Sequence, residues 1–330
     1  MASRPLAVAI GDPAGIGPEI LTKAWERREA ERLPPFFAVG GSEGIAAVWD
    51  GPVRVITDPA DAIHCFDEAL PLIQIGGSGE VIPGEPSMEG ARNSLEALEL
   101  AVGLTRSGTA SALVTGPVSK AQLYAIGFTH PGQTEFIAER CGMAGDMVAM
   151  MLAGPTLKTV PVTTHIALKD VPAALTIELI VAKGRTTIRG LRKQFGIERP
   201  RIAVAGLNPH AGEGGALGRE EIDIVIPAVE RLREEDAEVT GPFPPDTMFH
   251  ARMRSQYDAA LCLYHDQALV PLKTLHFDEG VNMTLGLPLV RTSPDHGTAF
   301  AIAGKGQAEP GAMIAALTTA GACAVRFAAA

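Results

Sequence analysis

Aromatic residues are scarce in this chain, 5% of 330 residues, and its four cysteines, Cys65, Cys141, Cys262 and Cys323, show no CxxC spacing. The elements are therefore expected to be small and aliphatic, and a cysteine-based scaffold is excluded. Cys262 lies in an apolar run, where a reduced, buried thiol is expected, and with it a reducing compartment. Basic residues are outnumbered, 28 Lys and Arg against 38 Asp and Glu, for a net charge of −10. No Lys/Arg cluster is interleaved with aromatics, so a nucleic-acid backbone finds no docking surface. A small anion is still admissible, because it needs only a few local cations and helix N-termini. Long hydrophobic runs are missing too: the opening LAVAI is too short for a signal-peptide core, and no later run reads as approaching the roughly twenty apolar residues of a membrane span. A cytoplasmic protein with no membrane partner is the expectation.

What is present is a chain long enough to bury a large core, with 46% hydrophobic residues punctuated by 36 Gly and 25 Pro. Short apolar runs recur: LAVAI (6–10), FFAVGG (36–41), ALVTGP (112–117), VAMMLAG (148–154), TVPVTTH (159–165), RIAVAGLNPH (201–210) and AALCLYH (259–265). Continuous runs of this length suit strands buried on both faces. Helix start signals fall between them, at Pro18 and Glu19, at Asp170 and at Arg219 to Glu221. The alternation predicts a largely parallel, doubly wound α/β sheet.

Three of the eight histidines, His165, His210 and His265, stand where a predicted strand runs out into a loop. Ligands of open α/β sheets bind at that end of the strands, so these imidazoles are candidate metal ligands. Three nitrogens and an open position make a catalytic site rather than a structural one, and imidazole suits Zn, Co, Fe or Ni. Asp266, next to His265, reads either as an orienter of that ring or as an exposed helix-capping acid. The loop GDPAGIGPEI (11–20) lacks the third glycine and the ribose-binding acid of a Rossmann site, leaving a tight strand-to-helix turn or a loop lining the cleft. Asp295, His296 and Gly297 in DHGTA, with Gly304 and Lys305 in AGKG, offer small residues and backbone N–H groups that suit a dinucleotide without the Rossmann motif. Candidate anion ligands are Lys120, Lys273, Asn282 and above all Arg291, which follows the apolar GLPLV.

With these residues laid out, the chain resembles the 4-hydroxythreonine-4-phosphate dehydrogenase family of vitamin B6 biosynthesis over nearly its whole length. The matching segments are GDPAGIGPEI, TGPVSK, GQTEF, TTHIALKDV, GLNPHAGEGGALGREEID, PPDTMF, YHDQALVPLK and NMTLGLPLVRTSPDHGTA. The resemblance implies two α/β/α domains with largely parallel sheets around a central cleft, similar to isopropylmalate dehydrogenase and not Rossmann. The first domain is expected over 1–115 plus 275–330, with the cofactor loop, and the second over 116–274, with the metal ligands and a dimer interface. It implies His165, His210 and His265 as ligands of one divalent ion per site (Zn, Co or Mg), one of them supplied across a homodimer interface. Gln133, Thr134, Lys273, Asn282 and Arg291 become substrate contacts, and Asp246 a further one from the partner chain. NAD or NADP is the implied cofactor, with Asp295, His296, Gly297, Gly304 and Lys305 at its site. The implied reaction is oxidation of 4-phosphohydroxy-L-threonine at C3, then loss of CO2 to give 3-amino-2-oxopropyl phosphate. Asp246, Lys273 or a metal-bound water are the candidates for its general base.

One departure stands out: the family usually reads GHTE where this chain has Gly132-Gln133-Thr134-Glu135. Glutamine still donates a hydrogen bond to phosphate but carries no charge and shuttles no proton. That opens a sibling substrate, a phosphorylated threonate or erythronate, or a cis-dihydrodiol carboxylate. Two rivals from other classes are a metal-dependent hydrolase, since three histidines and a water also suit hydrolysis, and a non-catalytic metabolite-binding protein. The first predicts no nicotinamide dependence, the second dispensable histidines.

Overall fold

In a computed structural model that describes residues 4–77, 79–144 and 147–329, the chain divides into two compact units, Met1–Cys141 with Pro288–Ala328, and Gly142–Leu287 with Ala329–Ala330. The strands among the described residues are β1 (Leu6–Ala9), β2 (Phe36–Gly40), β3 (Val53–Val55), β4 (Leu70–Gln74), β5 (Leu113–Thr115), β6 (Ala149–Gly154), β7 (Leu157–Pro161), β8 (Arg201–Ala205), β9 (Glu238–Phe243), β10 (Ala259–Cys262), β11 (Val281–Leu285) and β12 (Arg291–Pro294). Every run singled out in the sequence carries a strand.

The first unit orders its strands β3-β4-β2-β1-β5-β12, all parallel. Strands β1, β2, β5 and β12 are buried along their whole length, as continuous apolar runs in a sheet covered on both faces must be. From β1 the chain adds strands on one side, then crosses to β5 on the other, so the turns after β1 and β5 meet at a topological switch point. The backbones approach closely there: Asp12 N–H donates to Pro117 O at 2.9 Å, and a side chain on Gly17 would lie 2.3 Å from Ile10 O. The turn GDPAGIG is therefore a buried strand-to-helix turn, and Pro18 starts the helix Gly17–Glu26 as the sequence predicts.

The second unit orders its strands β11-β6-β7-β10-β8-β9. All run parallel except β6, which pairs antiparallel with both β11 and β7. The helix His265–His276 lies on β6, β7 and β10, and the long helix Ile177–Phe195 on β6 and β11. The latter is capped by the Thr176 hydroxyl, which accepts Leu179 N–H, and stopped by Gly196 at φ +69°.

The units divide after Cys141 and after Leu287, whereas the sequence reading places the crossings after 115 and 274. Packing explains the shift: the helix Lys120–Ala125 lies on the helix Met88–Arg106, and β11 completes the sheet begun by β6. A second correction concerns hydrophobic length. The helix Gly311–Ala329, 19 residues at mean hydropathy 1.5, is by length and composition alone long and apolar enough to cross a membrane. A count of bulky apolar residues passes over it because its apolarity resides in alanines. One face, including Met313, Leu317 and Cys323, is buried in the first unit, and Ala316 O accepts the Thr292 hydroxyl at 2.9 Å.

Candidate functional site

In the second unit, His165 follows β7 and His265 opens the helix after β10, and because these strands are parallel neighbours the two imidazoles come side by side, ring centroids 5.6 Å apart. They face a cavity of about 310 Å³ shared with Asp266 and Tyr264, with Leu168 and Val171 as its apolar wall. Asp266 Oδ1 lies 2.6 Å from His265 Nδ1. With the proton on Nδ1, that contact turns the Nε2 lone pair outward, which is the orienting role read for Asp266; its side chain is also 75% exposed. The backbone of His165 sits at φ +52°, a region that costs an L-residue roughly 1–2 kcal/mol.

His210 follows β8 but joins no such pair. It begins a run, His210 to Gly215, in which every residue has positive φ, His210 itself at +52°. The anchor of this left-handed turn is Glu221, 2% exposed, whose Oε1 accepts the N–H groups of Leu207 and Asn208 at 2.7 Å each and whose Oε2 accepts Asn208 Nδ2 at 2.9 Å. Asp246, in the exposed first turn of the helix Pro245–Met248, belongs to an element that lies against this turn. Among the described residues no three His, Cys, Asp or Glu groups gather as a metal cluster. The donor set of one chain thus fits half of a divalent site, two adjacent imidazoles with one ring oriented by a carboxylate.

Two predicted substrate contacts sit elsewhere in this unit. Asn282 is on β11, and its Oδ1 is buried with no hydrogen-bond partner. Lys273 is half-buried on the helix His265–His276, its ammonium 6.0 Å from the ring centre of Phe277.

The first unit holds Arg291 at the start of β12, only 4% exposed. Its Nη2 donates to the Thr115 hydroxyl at 2.7 Å and to Gln133 Oε1 at 3.3 Å. Burial pulls the guanidinium down to about 10, with Glu135 acting in the opposite direction, so it remains a cation at neutral pH. Gln133 Nε2 donates to Gly116 O at 3.1 Å. The amide thus ties Arg291 to Gly116, and because its NH2 carries two donors the substrate contact expected at this position stays open. Thr134 lies in the first turn of the helix Gln133–Arg140, whose N-terminus favours an anion. Lys120, from TGPVSK, is exposed beside Gly132.

The family described as "Pyridoxal phosphate biosynthetic protein PdxA" matches residues 40–320. The chain belongs to this PdxA family. A protein of Zymomonas mobilis named 4-hydroxythreonine-4-phosphate dehydrogenase is 56% identical over 96% of this chain and 95% of its own. The crystal structure of an enzyme of that name from Klebsiella pneumoniae is 37% identical and superposes with a TM-score of 0.86, covering 98% of this chain and 100% of the other. A terephthalate 1,2-cis-dihydrodiol dehydrogenase from Burkholderia xenovorans is 28% identical with a TM-score of 0.65, over 96% and 98% of the two chains.

The late loop of this PdxA family member is also ordered. His296 Nδ1 lies 3.1 Å from Gly297 O, Ala299 takes φ +42°, and Lys305 Nζ donates to Ala301 O at 2.7 Å. Asp295 is half-buried, while Gly297, Gly304 and Lys305 are exposed. What sequence reasoning misses is the support: Thr115 opens TGPVSK and Glu221 lies in the GREE stretch, but neither is read there as holding another residue in place.

Proposed function

We propose that this chain is a metal-dependent, NAD(P)-linked 4-hydroxythreonine-4-phosphate dehydrogenase. It oxidises 4-phosphohydroxy-L-threonine and releases CO2 to give 3-amino-2-oxopropyl phosphate, on the route to pyridoxal 5'-phosphate. The observation that carries this reading is the 56% identity, over almost the full length of both chains, with a protein of that name. The buried, prealigned Arg291 supports an anionic substrate.

Arg291, its Nη2 held by Thr115 and Gln133, presents its cationic guanidinium to the phosphate, and Thr134 adds a hydroxyl at a helix N-terminus. The unsatisfied Oδ1 of Asn282 accepts a substrate donor, and Lys273 supplies a second cation. Asp295, His296, Gly297, Gly304 and Lys305 hold the dinucleotide, to which the hydride chemistry belongs. His165 and His265 of one chain, with the partner's His210, would hold one divalent ion (Zn, Co or Mg), whose contribution would be Lewis acidity toward the substrate oxygens. His210 is assigned to the second copy because it stands apart from the other two, on the turn beside the helix of Asp246. Two side chains qualify as general base, Asp246 and Lys273, and the pH profiles of their variants separate them.

A phosphorylated threonate or a cis-dihydrodiol carboxylate is less favoured, because a relative named for a dihydrodiol is only 28% identical. The decisive assay adds 4-phosphohydroxy-L-threonine, phosphothreonate or a cis-dihydrodiol to the metal-loaded protein with NAD+ or NADP+ and follows absorbance of the reduced nicotinamide. Reduction with the first substrate supports the reading; reduction with the dihydrodiol alone overturns it, and none with any substrate favours the hydrolase or binding-protein alternatives.

A further inference from the structure

The PE of GDPAGIGPEI has no part in the chemistry above, yet Glu19 is one of the most buried acids in the first unit, 3% exposed. It does not cap its own helix. Its carboxylate instead reaches the late glycine-rich loop: Oε2 accepts Gly304 N–H at 3.1 Å and Oε1 accepts Ala308 N–H at 3.1 Å. One turn along the helix, Lys23 Nζ donates to Glu19 Oε1 at 2.9 Å, to Gly306 O at 2.9 Å and to Ala308 O at 2.7 Å. An ammonium has three protons, and all three are placed. One ion pair therefore holds both ends and two carbonyls of a five-residue turn.

That turn needs holding. Gly304 and Gly306 both take φ +69° with Lys305 at negative φ between them, and glycines lose the most conformational freedom on ordering. No other residue fits at 304, where a Cβ would lie 2.6 Å from Pro83 Cβ. Alternating φ signs turn successive N–H groups to one side, the geometry of backbone nests that bind anions. The N–H groups of Gly306 and Gln307 make no hydrogen bond among the described residues, and both residues are exposed. The same early loop supports DHGTA: Ile16 N–H donates to Thr298 O at 3.0 Å.

We infer that Glu19 and Lys23 are positioning residues for the dinucleotide, shaping the Gly304–Ala308 turn so that its outward N–H groups meet the cofactor. This rests on reading 295–305 as the nucleotide loop. The pair neutralises itself, so it contributes geometry rather than charge. In Glu19→Gln, an amide nitrogen faces a backbone donor on one side, and one of the two N–H contacts is lost.

The test is calorimetric titration of the full-length, zinc-loaded protein with NADH and NADPH. Alongside it go the KM for the phosphorylated substrate and a thermal melt. Glu19→Gln is expected to weaken dinucleotide binding about tenfold, ~1.4 kcal/mol, with the substrate KM unchanged within about twofold. Lys23→Gln is expected to weaken it about threefold. If Glu19→Gln fails to fold, Lys23→Gln, at a side chain 26% exposed, carries the test alone. Gly297→Leu, which projects into open space, and Lys305→Ala test the underlying reading. Wild-type affinity in the folded Glu19 and Lys23 variants, with weakened binding in these two, overturns the inference. Wild-type affinity in all four overturns the placing of the nucleotide as well.

Discussion

At the scale of single residues, two of the buried charges of the first unit, Arg291 and Asp12, behave in opposite ways. Arg291 is held where an anion gains from it, so Arg291→Lys, which cannot reach Thr115 and Gln133 with one planar fork, should lower kcat/KM by about tenfold to a hundredfold in steady-state assays. Asp12, 1% exposed at the switch point, accepts Ala14 N–H through Oδ1 but leaves Oδ2 buried without a partner. Burial pushes its carboxyl above the usual 3.8, against the opposing backbone hydrogen bond. The sign follows: above the raised folded pKa a buried charge costs stability, and below 3.8 both states are protonated and the cost is gone. Asp12→Asn should therefore raise Tm at pH 7, with the difference shrinking in melts as pH falls through the folded pKa towards 3.8. An equal gain at pH 3 and pH 7 would refute the assignment.

Among the elements, the left-handed turn after β8 is the costly one. Six consecutive residues with positive φ, three of them not glycine, persist only if their surroundings determine them, and Glu221 fixes the segment leading into them through three hydrogen bonds to Leu207 and Asn208. Glu221→Ala is expected to release the turn and with it His210, weakening zinc binding about tenfold or more in competition titrations. Retained affinity would show that the turn holds itself. The pairing of His165 with His265 is an element property as well, since parallel β7 and β10 end side by side. Proline and glycine signals mark where these strands stop. They do not reveal which strands become neighbours.

For the molecule as a whole, the division of ligands has a direct consequence. If the partner's His210 completes the pair His165 and His265, two inactive variants, His165→Ala and His210→Ala, should recover activity when unfolded and refolded together. Random pairing gives half heterodimers, each with one intact site, hence about a quarter of wild-type activity. No recovery would show that His165 and His210 reach a site from the same chain. The second unit also accommodates one antiparallel strand, β6, so the largely parallel sheet predicted from alternation holds with that exception.

The sequence by itself determined the seven strands β1, β2, β5, β6, β7, β8 and β10, since continuous apolar runs closed by Gly, Pro or Asn have few other ways to be buried. It also named the chemistry-bearing side chains, because imidazoles at strand ends and an arginine after an apolar run are visible as residue types. Tertiary structure alone decided which of them meet. His165 and His265 are a hundred residues apart and become neighbours through strand order, while His210 is set aside by a turn whose backbone no residue pattern announces. The contacts of Gln133 with Arg291 and of Glu19 with Gly304 likewise span long separations, which depend on how the elements pack and leave no period in the chain.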